Sequence, residues 1–339
     1  MSLRVGFLPL YQIQYASSRY RVFQFLEPLA HRGFKCTLIE APQRNLRKRL
    51  TYLPRLLHLA RSQDVLYVQK RLLPEYVLKL VCRINPHLIY DLDDAIFLRP
   101  QLRPQVDAIL QAARVVVAGN EYLATYARKF NQQVVVIPTV VDADLYVPPS
   151  GPRHPGDERV IIGWIGSDPN RGDLAAMKPV FDWLGEHYNG EVALRAIGRR
   201  PLEMETRLTL EFIPWMLETY LGELQKFDIG IMPLEDTDWN RGKCGFKLIQ
   251  YMAVGAATVA SPVGVNQAII QDKKTGYLAK TTEEWKDKLA SLISDAPLRL
   301  EMGRLGRGRV ERCYSVEVIL PLLIDVLECG AAASRKGSR

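Results

Sequence analysis

Arg241, Lys243 and Lys247 stand around Gly242 and Gly245 in the stretch RGKCGFKLIQYMAVGAATVASPVGV, residues 241–265. Glycines let the backbone approach a ligand closely. A helix that starts after one offers first-turn N–H groups and the positive end of its dipole. With the added formal charge, that combination suits a diphosphate. A solvated basic loop leading into a core helix fits the loop equally well. From Leu248 to Ile270 the chain carries no Asp, Glu, Lys, Arg or His. That run is long enough to span a bilayer. Gly255, Pro262, Gly264 and Asn266 instead punctuate it as a helix, a turn, a short strand and a loop.

A second constellation is YDLDDA, residues 90–95. An apolar run ending in Asp91, Asp93 and Asp94 reads as a strand that delivers carboxylates to the carboxyl edge of a sheet, where ligands bind. Asp93 or Asp94 there can orient or deprotonate a hydroxyl. Capping of a following helix, above all by Asp94, and a divalent cation site rank second and third. In SSRYR (17–21), Ser17 or Ser18 can cap a helix, and Arg19 and Arg21 can reach an anion or decorate an exposed first turn. Leu46, Leu50, Leu53, Leu57 and Ala60 recur at helical spacing within RNLRKRLTYLPRLLHLARS (44–62), among six arginines and lysines, with Pro54 predicting a kink or break. Such a helix either covers a sheet with its basic face in solvent, the reading placed first, or lies on an anionic membrane. His31, His58, His87, His154 and His187 form no ligand pair or triad, and no G-x-S-x-G is present, so hydrolase and zinc chemistry find no support.

These residues need a frame, and short β-branched runs alternating with amphipathic ones supply it. Strands are predicted at 4–9, 35–41, 65–70, 87–93, 115–120 and 134–139, then at 160–166, 192–198, 208–213, 228–234, 257–262 and 276–280. Continuous apolar strands separated by helices make parallel sheets covered on both faces. VPPSGPRHPGDE, with four prolines, is the best linker. The predicted architecture is α/β, with two doubly wound Rossmann-like domains facing each other across a cleft. Its parts are a first domain (1–147), a linker (148–158), a second domain (159–315), a last helix (316–330) and a disordered tail (331–339). The chain's 339 residues suffice for two cores, and 24% charged with 47% AVILMFWYC is a globular composition. A net charge of +8 suits an anionic partner without choosing one. Five scattered cysteines with no CxxC point to a reducing, cytoplasmic setting.

The segment DIGIMPL…W.RGKCGFKLIQYMAVGAATVASPVGVN resembles the donor-binding segment of retaining glycosyltransferases of family 4, which have the GT-B fold. TGYLA, the Trp285 helix and LRLEMGRLGRGRVERCYS (298–315) continue the likeness. SSRYRVFQFLEPLAHRGF and VVVIPTVVDADLY are similar to the family's early helix and pre-linker segment. The resemblance is strong from Phe227 to Ser315 and weaker before the linker.

What the resemblance implies carries over residue by residue. The strand-to-helix start at Gly163–Ser167 lies against a donor diphosphate, with Gly166 and Ser167 closest. The family's Arg after the first glycine is Trp164 here, so Arg171 and Lys247 become the candidate charges. Of the family's paired glutamates, the ribose-binding one aligns with Gln250, and the other falls at Gly242–Cys244, where there is no carboxylate. Gln250 can hydrogen-bond ribose as a neutral group. Ile213 and Trp215 can flank the base, or Trp215 can be simple packing. Lys243, Gly245 and Phe246 complete the donor contacts, with Asp93 and Asp94 on the acceptor side. The implied enzyme is a retaining, metal-independent glycosyltransferase that moves a sugar from a nucleotide-diphosphate sugar to an acceptor hydroxyl, lipid-linked or glycan. It requires no cofactor, engages no nucleic acid, and contacts a membrane at most through 44–62. The rivals are an epimerase or other enzyme on the same scaffold, and a nucleotide-sugar-binding protein without catalysis.

Overall fold

The computed structural model describes residues 2–40, 46–167 and 171–331. Every strand expected from the sequence is present, most trimmed at their ends. In one compact unit, β1 (Arg4–Pro9), β2 (Lys35–Leu38), β3 (Val65–Gln69), β4 (Leu88–Leu92), β5 (Val115–Ala118) and β6 (Val134–Val136) form a sheet in the order β2-β1-β3-β4-β5-β6. All of its pairings are parallel. β3, β4 and β5 are buried along their whole length, as a sheet covered on both faces requires. In the other unit, β7 (Val160–Ile165), β8 (Val192–Gly198), β9 (Thr209–Pro214), β10 (Ile229–Met232), β11 (Ala257–Ala260) and β12 (Tyr277–Leu278) run parallel in the order β12-β11-β10-β7-β8-β9.

The first unit comprises Met1–Val140, Gly242–Cys244 and Val316–Arg339, and the second comprises Val141–Arg241 and Gly245–Ser315. Residues 141–147, read from the sequence with the first domain, are thus held by the second. Val141 bridges Ser315, and Tyr146 is buried with its hydroxyl 3.0 Å from that of Tyr220. The helix Val316–Ala331 packs on the helix Gln24–His31 and on β3 and β4 of the first unit. The expected tail falls, from residue 332 onward, outside the described residues.

The helix Leu46–Ser62 runs through Pro54 rather than breaking there. Of the expected stripe, Ala60 is buried and Leu53 and Leu57 are half-buried; Leu56 and Leu59 are buried beside it, while Arg55, His58 and Arg61 are exposed. The side chains of 44–50 lie outside the described residues. No described helix is long and apolar enough to cross a membrane, and all five cysteines are free thiols.

Candidate active site

Ligands of doubly wound sheets bind outside the carboxyl ends of the strands where the strand order reverses. In the second unit that reversal lies between β7 and β10, so the residues leaving β7 carry the site. Trp164 is buried in β7, and its ring packs against Gly166 so closely that a Cβ there would overlap it. Lys247 Nζ stands 4.5 Å from the centroid of the same ring. Such a cation–π contact holds an ammonium in place at about 0.5–2 kcal/mol. Trp164 is thus an aromatic platform under a lysine delivered from another element.

That lysine sits in the first turn of the helix Phe246–Ala253, which starts from Gly245 at φ 64°, ψ 15°. A side chain at Gly245 would adopt a left-handed backbone and overlap Ile269, so glycine is required. The helix then buries Leu248 to Ala253 and is followed by β11. The uncharged run is therefore a buried helix and strand.

Arg171 donates to the Arg200 carbonyl at 3.0 Å and, with Trp164, Gly166, Gly198, Arg199 and Phe212, lines a small cavity beside the β7 edge. The Gly166 N–H is taken by the Ile197 carbonyl at 3.0 Å, so it is not the donor to an anion that the sequence suggested. Ser167 is exposed at the loop. Ile213 lies in β9, and Trp215 follows it, stacked on Tyr220 at 5.7 Å with the Arg199 guanidinium 6.0 Å away. Gln250 is buried, and its Nε2 donates to Tyr146 Oη at 2.9 Å. Gln250 is therefore tied into a Gln250–Tyr146–Tyr220 chain. Asp168–Asn170 lie outside the described residues.

In the first unit the order reverses between β1 and β3, and a polar network fills their carboxyl ends. Arg21 is buried and grips Asp91 through Nε (3.0 Å) and Nη2 (2.5 Å), while its Nη1 donates to the Ile137 carbonyl at 2.7 Å. Arg21 is thus committed to Asp91 instead of reaching for a ligand, and Asp91 is a core counter-ion rather than an edge carboxylate. Ser17 and Ser18 cap no helix through their side chains. Ser17 donates to Asp93, and Ser18 to Gln69 Oε1 at 2.8 Å. Lys70 Nζ bonds Asp94 and lies 3.3 Å from Asp93 Oδ1. Among the described residues, no group of His, Cys, Asp and Glu is arranged to hold a metal ion.

Burial works to raise the Asp93 pKa, but Lys70, the Ser17 hydroxyl and Arg21 outweigh it and hold the carboxyl below its ordinary range. Asp94 goes the other way, raised by burial and by the Asp93 charge against the pull of Lys70. Two neighbouring carboxyls whose environments push them apart can divide their roles, one a fixed charge and the other a proton acceptor.

Gly242–Cys244 also belongs to this unit. Asn120 Nδ2 donates to the carbonyls of Gly242 (3.0 Å) and Lys243 (3.1 Å), and Cys244 Sγ donates to the Asp93 carbonyl at 3.2 Å. Lys243, expected among the donor contacts, is therefore placed by Asn120 in the first unit, where its charge partly opposes the rise in the Asp94 pKa. Lys70, Gln69 and Asn120 were not singled out from sequence. A Gln-Lys-Arg run ending an apolar strand was the available signal.

Residues 161–295 match the family "Glycosyl transferases group 1". The chain thus carries a group 1 glycosyl transferase domain over those residues, and its two six-stranded parallel sheets have the GT-B arrangement of the solved structures it resembles. The whole chain is similar in fold to sucrose-phosphate synthase from Thermosynechococcus elongatus, with TM-score 0.73, 15% identity, and 98% of this chain and 100% of that one covered. HepE from Anabaena, solved with UDP and glucose, gives TM-score 0.71 at 14% identity over 96% of this chain and 99% of that one. An alpha-glucosyltransferase in complex with UDP and DNA gives TM-score 0.71 at 11% identity, covering 96% of this chain and 100% of that one. Comparison of the sequence with curated proteins finds no match.

Proposed function

We propose that this enzyme transfers a sugar from a nucleotide-diphosphate sugar, held by the second unit, to an acceptor hydroxyl presented at the first. The observation that carries the reading is Lys247, poised over Trp164 beside the edge of β7 and in the first turn of a helix that starts at Gly245. A uridine donor is proposed because HepE has been solved with UDP and with UDP-glucose. The hard step is cleavage of the bond between the anomeric carbon and the β-phosphate oxygen, which leaves charge on the diphosphate. Lys247, the Phe246–Ala253 helix start and Arg171 are the groups assigned to that charge. The acceptor oxygen forms the new bond to the anomeric carbon, and its proton passes to Asp94, with Asp93 and Ser17 orienting the hydroxyl. Retention and metal independence belong to the same proposal and rest on the family resemblance. Any hold on an anionic membrane would be electrostatic, through Arg55 and Arg61, because Leu56, Leu59 and Ala60 of the same helix are buried.

The test is a thermal-shift series with UDP, UDP-sugars and the other nucleoside diphosphates, with EDTA and with added manganese. A shift confined to uridine nucleotides and unchanged by EDTA is expected. A shift that appears only with manganese would overturn metal independence, and none with any nucleotide would overturn the donor assignment. A pH profile checks the base. Asp94 must be a carboxylate to accept the proton, and its pKa is raised, so kcat/KM should fall as pH drops through a value higher than that of an ordinary aspartate. An acid limb that persists unchanged in Asp94→Asn would exclude Asp94.

A further inference from the structure

Arg71 leaves the carboxyl end of β3 and is 8% exposed. Among the described residues its guanidinium makes no hydrogen bond and no ion pair, and Nη1 is fully buried without a partner. Its guanidinium carbon lies over the ring of Tyr52, 4.3 Å from the centroid. Tyr52 repeats the anomaly, since its hydroxyl is buried with no hydrogen-bond partner. Buried polar groups are nearly always paired, and a buried charge without a counter-ion costs several kcal/mol. Arg21, in the same unit, shows how this fold treats an arginine of purely structural purpose, with a carboxylate on two nitrogens and a carbonyl on the third.

The position of the pair narrows its purpose. Lys70, the residue before Arg71, has φ 55°, a left-handed backbone that non-glycine residues rarely adopt. This turn lets consecutive residues diverge, Lys70 to Asp93 and Asp94 and Arg71 to Tyr52. β3 is one of the two strands flanking the reversal of strand order, where doubly wound sheets take their ligands. Burial pushes the Arg71 guanidinium below its ordinary pKa, with only Tyr52 opposing, which fits a charge lacking a carboxylate.

We propose that Arg71 and Tyr52 form an oxyanion site for a phosphate or carboxylate borne by the acceptor, so that the substrate class at the first unit is an acidic hydroxyl compound. This rests on the assignment of the acceptor to that unit. The guanidinium fork binds two oxygens of such a group, and the phenol can donate to it as well. A neutral acceptor would leave both groups unsatisfied, and a site built around buried donors discriminates against ligands that do not engage them.

The test measures Tm for the wild type, Arg71→Met and the exposed control Arg61→Met, each saturated with UDP so that the donor site cannot take the probe. The probes are glycerol 3-phosphate, glycerate and glycerol, then farnesyl phosphate and farnesol in detergent micelles. At ten times its Kd, at least one anionic probe should raise the Tm of the wild type and of Arg61→Met by about 2–4 °C, and the neutral partners should not. Arg71→Met should show no such response while its own Tm equals or exceeds the wild type's, because the uncompensated charge is gone. Farnesyl phosphate acting at lower concentration than glycerol 3-phosphate would assign the anion to a lipid, and the reverse order to a soluble acceptor. The proposal is overturned if Arg71→Met keeps the response, if its Tm falls, or if no anion stabilises the wild type. The shift with UDP alone reports separately on the donor. A chain that ignores UDP but binds anions through Arg71 would sink the donor assignment and keep this one.

Discussion

Lys247→Ala is expected to lower kcat/KM for the sugar donor about 10²–10³-fold, the usual loss when one preorganised group facing transition-state charge is removed. The loss should fall mainly on kcat, because charge on the diphosphate grows only as the glycosidic bond breaks. The urea midpoint should move little, since Lys247 is half-buried and lies against the face of Trp164. Steady-state kinetics beside urea denaturation separate the two effects. An unchanged kcat with a raised KM would reduce Lys247 to ground-state binding. Trp164→Phe keeps a platform but a poorer cation–π partner, and should cost far less than the lysine.

The second large effect concerns stability. Arg21→Met removes one partner of a fully buried ion pair and strands Asp91, which is expected to cost about 3–5 kcal/mol. With a urea slope of about 1–3 kcal/mol/M, that displaces the unfolding midpoint of the affected transition by about 2 M. Arg21→Met combined with Asp91→Leu should recover much of the loss, because no uncompensated charge then remains inside. A single variant that unfolds at the wild-type midpoint would show the pair to be dispensable.

All twelve strands were legible because each is an uninterrupted β-branched or apolar run, and that pattern is what a sheet buried on both faces imposes. The loop from Arg241 to Gly245 was legible in kind, since glycines and lysines before an apolar run have few other uses. The roles of individual charges were not. Arg21 sits in a polar pentapeptide that reads as an exposed turn, and only the approach of β4, seventy residues later in the chain, buries it against Asp91. Asp91 looks like its neighbours Asp93 and Asp94, yet it is a rung of the ladder, in register with Gln69 and Val117, and its side chain has no solvent. Lys70 and Arg71 read as an ordinary basic pair after a strand. What separates them is the company each side chain keeps, and that is a property of contacts distant in sequence. Gly166 shows the same limit at the backbone, where the ladder to β8 consumes an N–H that the glycine motif advertises.

The last helix, Val316–Ala331, has a consequence for biosynthesis. It closes the first unit with Ile319, Leu320, Leu323, Val326 and Leu327 buried, and Gly330 lies against Ile89 of β4 so closely that a Cβ there would crowd it. The ribosome therefore releases the sheet of the first unit early and the helix that covers it last, after the entire second unit has emerged. Until then the faces of β3 and β4 that meet this helix lack their cover. Exposed apolar surface of that kind invites aggregation and chaperone capture during synthesis. A released chain truncated after residue 315 should accordingly be protease-sensitive in its first unit and protected in its second, and restoring Val316–Ala331 should reverse the first of these.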